Sequence, residues 1–426
     1  MPSIQDHPLR YKLANELHAR PFPSMTSPCT VVHLAIKQPQ EAAHRDRADD
    51  RAHLIDLLDR HGAVHPQPGA THHSARIGRH MLKWESHTEF VSYTVFTDGL
   101  SARPFDPVDF AVFPENWLES APGQRMTSIV MRVQERPEDD EIRRYLKEWF
   151  VPESLAVAEV LDGLAVAAGD FRVDPAGHMR FAVFVQPGTG QQRIGRVVQR
   201  LCEIETYKSM SMLGFSRVRK LSGRIGELDA HLSELMIEIS DGTARADETL
   251  QPLLRVATEL ETIGAQAAFR FGATGAYEAI VNQRIDMLEE ARFRGMQLFS
   301  EFMLRRYDPA MRTVKSMEMR LGKLADRAMR AGELLRTQVD VERSAQNQAL
   351  LESMDRRADL QLRLQHTVEG LSVVAISYYA VSLATYLLYP LATALSVSKG
   401  MLTAMITLPV VGLVWLAVRR IRKKLH

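Results

Sequence analysis

The last 57 residues of this chain constrain it most. Between Glu369 and Lys399 lie 29 residues without a charge, GLSVVAISYYAVSLATYLLYPLATALSVS. After Lys399 a further 19 uncharged residues run from Gly400 to Val418, and the basic segment RRIRKKLH follows. A helix rises 1.5 Å per residue and a bilayer core is about 30 Å thick, so about 20 apolar residues suffice to cross it. Both runs meet that length, which predicts a transmembrane hairpin with spans at about residues 371–395 and 401–418.

Flanking charge predicts the orientation. Arg419, Arg420, Arg422, Lys423 and Lys424 follow the second run, Arg356, Arg357 and Arg363 precede the first, and the connection carries only Lys399. Basic residues near span ends stay cytoplasmic, so both termini are expected inside and the tip of the hairpin outside. An even number of spans requires the same. No apolar core of signal-peptide length opens the chain. Cys29 and Cys202 are too few for a disulfide framework. Both points favour a body on the reducing, cytosolic face of a cell inner membrane.

The remaining sequence divides by proline. Sixteen of the 20 prolines precede Gly188, and only Pro252 and Pro309 fall between there and the first span. Proline breaks helix interiors but suits their first turn, so long helices are expected over 190–250, 253–308 and from 310 onward. Residues 1–189 read as an α+β domain with a mixed sheet of about seven strands: Thr30–Lys37, Ile77–Glu85, Glu89–Thr97, Ser128–Glu135, Leu155–Leu161, Ala165–Val173 and Met179–Gln186. Turns are expected at Ser86–Thr88 and Asp174–Gly177, and helices over Gln40–His61 and Pro137–Phe150. Residues 190–369 read as a long-helix stalk. Val218, Leu221, Ile225, Leu228, Leu232, Leu235 and Ile239 recur at steps of three and four, as in coiled coils. Val314, Met317, Leu321, Leu324, Ala328 and Leu335 form a second seam. Such seams fit either a homo-oligomer or the core of one intrachain bundle. Gly272 and Gly275 mark a possible close approach or break in the middle helix.

Candidate sites are few. Eleven of the 15 histidines lie in the first 87 residues. In Trp84-Glu85-Ser86-His87-Thr88-Glu89, a continuous strand would put Glu85, His87 and Glu89 on one face, where carboxylates and an imidazole can bind a divalent metal. A solvated hairpin tip is the plainer reading. Arg10 and Arg20 are candidate anion contacts, since guanidinium forks suit phosphate or carboxylate. In the first span Tyr378, Ser382, Thr385, Tyr389, Thr393 and Ser396 fall within about 80° of arc, a hydroxyl stripe that either lines a path or packs helix on helix. The chain has 53 basic and 52 acidic residues, which argues against a dedicated nucleic-acid binder. No phosphate-binding glycine loop, GxSxG or Cys/His dyad signature is present, so no enzyme is expected and no cofactor beyond a divalent metal.

The segments HARPFP, LKWESHTEF and CEIETYKSMSMLGFSRVR, with the paired C-terminal spans, together resemble an uncharacterised family of bacterial predicted membrane-anchored proteins. The resemblance covers essentially the whole chain and implies membrane anchorage with no assigned activity. The layout of cytosolic domain, stalk helix and two C-terminal spans also looks like CorA-type magnesium channels. Those carry Gly-Met-Asn after the first span. Here Gly400-Met401 is followed by Leu402, and Lys399 puts a cation at the expected entrance.

Overall fold

Nine strands among the described residues form one mixed sheet in this computed structural model, which describes residues 4–16, 22–39, 42–241, 245–394 and 398–425. In chain order the elements are α1 (Arg10–Glu16), β1 (Cys29–Lys37), α2 (Arg47–Arg60), β2 (His72–Ile77), β3 (His80–Ser86), β4 (Phe90–Asp98), α3 (Glu115–Glu119) and β5 (Gln124–Glu135). They continue with α4 (Asp139–Trp149), β6 (Ala156–Val160), β7 (Ala165–Val173), β8 (Met179–Val185), α5 (Gln191–Asp241), α6 (Ala246–Asp286), β9 (Ala291–Arg292), α7 (Phe299–Arg306), α8 (Asp308–Ala394) and α9 (Lys399–Leu425). By contacts the chain divides into two units, Met1–Thr243 with Gln251–Ala331, and Ala244–Leu250 with Gly332–His426.

In the first unit the sheet order is β2-β3-β4-β1-β5-β8-β7-β6-β9. Its pairs are antiparallel except β5 with β8. β1 is buried along its whole length, as a central strand covered on both faces must be. One face carries Val32, Leu34, Leu82, Tyr93 and Phe184 against Leu54 and Leu57 of α2, Trp117 of α3 and Ile142 of α4. The other carries Val31, Met131, Phe181 and Val183 against Val197 and Leu201 of α5, and Phe299 and Phe302 of α7. The seven expected strands are present, and two more complete the sheet. β2 lies immediately ahead of β3, with Gly78 at φ +58° in the turn between them. β9 is a two-residue edge on β6. The Asp174–Gly177 turn closes as expected, Gly177 taking φ +90° and donating its N–H to Asp174 O at 2.9 Å.

The helix boundaries correct the proline reading. α6 begins at Ala246 and runs through Pro252, so that proline does not open the helix. α6 ends at Asp286, where Glu289, Arg294 and Gly295 at positive φ turn the chain into β9 and then α7. Pro309 does stand in the first turn of α8. Gly272 and Gly275 neither break α6 nor meet a neighbour. The close approach lies at Gly214 of α5 instead, where an added Cβ would overlap the Thr274 side chain. The α5 seam is satisfied within the chain: Val218 packs with Ala267 and Phe271 of α6 and Val314 of α8, and Ile225, Leu228 and Leu232 are buried. α6 has its own heptad face in Leu253, Val256, Leu260, Ile263 and Ala267, all buried. Interhelical ion pairs flank the seams, Arg224 to Glu259 at 2.6 Å and Arg320 to Asp229 at 2.7 Å.

In the second unit, α8 from Gly332 onward and α9 contain the two apolar runs. Among the described residues, two helices are long and apolar enough to cross a membrane, with mean hydropathies of 1.7 and 2.2 in their most apolar windows. Only 11% and 0% of those windows is buried within the chain.

Candidate functional site

The chemistry-bearing residues gather around the β3–β4 turn, residues 87–89, and its surroundings are not what a solvated hairpin tip would show. Ser86 and Glu89 are buried. The Arg45 side chain, 2% exposed, pairs with Asp50 at 2.7 Å and donates to the carbonyls of Ala42 at 3.1 Å, His87 at 2.8 Å and Phe90 at 3.1 Å. A guanidinium with its donors so filled fixes the turn's backbone as a template. Arg45 precedes α2, whose N-cap Asp46 accepts from Ala48 N at 2.8 Å, so the clamp is delivered by a capped helix start.

This turn separates the three residues offered above as metal ligands. Glu85 reaches Lys83 at 3.3 Å. The His87 ring stacks on Phe90 at 4.2 Å, with Nε2 3.3 Å from Ser92 Oγ. Glu89 turns to α6 and pairs with Arg270 at 2.6 Å. Among the described residues no three His, Cys, Asp or Glu side chains converge as metal ligands would.

Glu85 and His87 instead line a cavity between the sheet and α5, together with His33, Lys83, Cys202 and Glu203. It holds about 30 Å³, room for one or two waters and nothing larger. Its charges are partnered: Lys83 donates to Gln199 Oε1 at 3.0 Å, Gln199 to Glu203 Oε1 at 2.7 Å, and Arg284 pairs with Glu203. His33 sits between Thr94 Oγ1 at 2.8 Å and Thr206 Oγ1 at 3.0 Å. Burial, with a smaller contribution from the Lys83 charge, pushes its pKa down to about 3, so it stays neutral. Burial also pushes up the thiols of Cys202 and, to about 12, Cys29, away from the reactive thiolate. The cavity joins sheet to helix.

A larger concavity, about 580 Å³, opens where β1, β5, α5 and α6 meet. Lys37, Arg125, Arg217, Lys220 and Arg270 line it with Gln124, Gln266 and the half-exposed ring of Phe269, and among the described residues no carboxylate lines it. None of these cations was a candidate from sequence. They lie at 37, 125, 217, 220 and 270, and only Arg217 and Lys220, three apart on one helix, share a local signal.

The other candidates are dispersed. Arg10 pairs with Asp6 in its own turn, and Tyr11 Oη donates to Asp6 Oδ2 at 3.0 Å. Arg20 and Ser396 lie outside the described residues. The hydroxyl stripe splits. Tyr378, Ser382 and Thr385 line a groove of about 580 Å³ between the two apolar helices, opposite Thr403 and Thr407 of α9. Tyr389 and Thr393 are exposed outside it. The threonines bond within their own helices, Thr385 to Val381 O at 2.8 Å and Thr407 to Thr403 O at 2.7 Å. Lys399 lies over the rings of Tyr386 and Tyr389, 5.7 and 5.8 Å from their centres.

Comparison with known proteins gives one family. Its description, "protein of unknown function (DUF3422)", matches residues 5–425. No curated protein and no solved structure matches. The chain therefore belongs to this family of unassigned activity.

Proposed function

We propose that this family member is a non-enzymatic membrane-anchored protein that presents a binding or sensing domain at the cytosolic face of the inner membrane. One observation carries the reading: the most apolar windows of α8 and α9 are almost wholly uncovered by the rest of the chain. Leu383, Leu387 and Leu408 are 63%, 78% and 81% exposed, a burden a water-soluble surface rarely bears. In a bilayer the same side chains meet lipid, and the helices satisfy their own backbones. The ends fit this placement. Arg419 stacks over Trp415 with 5.0 Å to the ring centre, an aromatic and basic pair suited to the interface. The basic segment after α9 then favours a cytosolic C-terminus, and two spans return the N-terminal domain to the same side.

Leu350, Leu351, Met354, Leu360 and Leu364, 59–66% exposed along α8, favour self-association of the segment before the first span. The CorA-type layout gains no such support. The span threonines are satisfied inside their helices, and Lys399 over two tyrosine rings places a cation where a cation path would begin. The test of anchorage is extraction: the native chain stays in the membrane pellet at alkaline pH in carbonate and leaves it in detergent. Recovery of the full chain in the carbonate supernatant would refute the anchor. The mass of the detergent-solubilised particle tests self-association, and a single-chain mass would overturn that part.

A further inference from the structure

We propose that the basic groove between β1, β5, α5 and α6 binds a small ligand carrying two or more phosphate groups. The inference rests on reading the sheet domain as a binding module and is independent of the anchorage.

The charge pattern is the first argument. Basic and acidic residues nearly balance over the chain, and several arginines elsewhere on this body are paired with carboxylates: Arg224 with Glu259, Arg320 with Asp229, Arg292 with Glu301, Arg136 with Asp139 and Glu159. The groove departs from that balance with five cations and no lining carboxylate among the described residues. Glu89 offsets part of this charge, pairing with Arg270 at 2.6 Å. Among the described residues Arg125, Arg217 and Lys220 form no ion pair, and Arg270 Nη1 is without a hydrogen-bond partner. A concave, low-dielectric wall focuses such a field on whatever occupies the cleft.

Pre-organisation is the second. Lys37 is held at the end of β1, buried, its Nζ donating to Gln38 O at 2.8 Å. Burial and the neighbouring Arg270 and Arg45 charges push its pKa down, the signature of a cation lacking enough counter-charge. Glu89 fixes Arg270 from behind, and the Arg45 clamp fixes Glu89. The site is thus built on two strands and two helices.

The third is size. At about 580 Å³ the groove is within the range of small-molecule sites. Guanidinium forks match phosphate oxygens in pairs, and five cations call for more than one phosphate. Gln124, Gln266 and Ser216 add neutral hydrogen-bonding groups, and Phe269 offers a flat apolar face beside them. That combination fits a nucleoside polyphosphate or a phosphorylated headgroup, which share the recognised chemistry.

The experiment titrates the full chain in a charge-neutral detergent with inorganic pyrophosphate, ADP, inositol bisphosphate and a short single-stranded RNA. The expected result is saturable binding of pyrophosphate and tighter binding of either ADP or inositol bisphosphate, the tighter one identifying the source. Arg217→Glu with Lys220→Glu, both on the solvent side of α5, should weaken binding by at least about a hundredfold, roughly tenfold per cation, with the unliganded melting temperature unchanged. Lack of saturation by any phosphate probe at millimolar concentration would overturn the proposal. So would affinity unmoved by the double variant, or RNA outcompeting every small anion. A chain that proves soluble without detergent would remove the anchorage and leave this titration intact.

Discussion

Glu89→Gln should cost far more than a surface charge deletion, and the structure says why. The Glu89 side chain is 1% exposed and that of Arg270 18%, with 2.6 Å between them. Gln has the same shape and removes only the charge. Arg270 is then left beside Lys37 with no counter-charge, in a region already deficient in carboxylates. At an effective dielectric of about 20, unit charges 4 Å apart attract by about 4 kcal/mol. Breaking a buried pair from one side costs about 3–5 kcal/mol. At about 2 °C per kcal/mol for a body of this size, the melting temperature should fall by about 6–10 °C. Near-UV circular dichroism of the full chain in detergent reads this domain selectively, because Trp84, Trp117 and Trp149 are buried in it. Arg224→Gln, which opens an exposed pair, serves as the control and should shift the midpoint by no more than about 1 °C. Glu89→Gln combined with Arg270→Met should recover part of the loss, since no lone charge remains. Equal shifts for Glu89→Gln and Arg224→Gln would refute the reasoning from burial.

Further outcomes follow from other parts of the chain. His33 binds no proton in the folded state until about pH 3, whereas its ordinary value is 6.5. The unfolded chain therefore binds more protons below pH 6.5, and stability falls on acidification by about 1.4 kcal/mol per pH unit. A His33 imidazole that titrates near 6.5 by NMR would contradict this. Cys29 and Cys202 are buried thiols, so the native chain should resist a thiol reagent that modifies both after unfolding; rapid native labelling would contradict their placement. Leu408→Arg, at a position 81% exposed near the middle of α9, should raise the cost of membrane insertion by about 3–4 kcal/mol. The fraction integrated, read by carbonate extraction, should drop, and unchanged integration would count against α9 as a span.

Local patterning carried much of this fold. β1, β4, β7 and β8 are apolar, β-branched or alanine-rich runs between turn residues, and their limits follow from composition alone. β2 was not legible because HHSARI lacks that composition and follows Pro66, Pro68 and Gly69; it exists because β3 offers an edge to pair with. Pro252 misled in the opposite sense. It sits in the second turn of a helix whose start is set by residues before it, and heptad packing through Leu253, Val256 and Leu260 outweighs the lost hydrogen bond. The β3–β4 turn reads as a solvated tip because nothing nearby reveals Arg45, 42 residues upstream, whose guanidinium fills its carbonyls. The basic groove was invisible for the same reason, its five cations meeting only after the sheet and two long helices have packed.

The central claim is that α8 and α9 form a hairpin across the membrane with both chain ends in the cytosol. Single cysteines in place of Lys399 and Arg420, on a background in which Cys29 and Cys202 are buried, test it most directly with a membrane-impermeant maleimide on intact spheroplasts. The account predicts that Lys399→Cys is labelled from outside, while Arg420→Cys is labelled only after the membrane is opened. Labelling of Arg420→Cys in intact spheroplasts, or protection of Lys399→Cys until lysis, would contradict it.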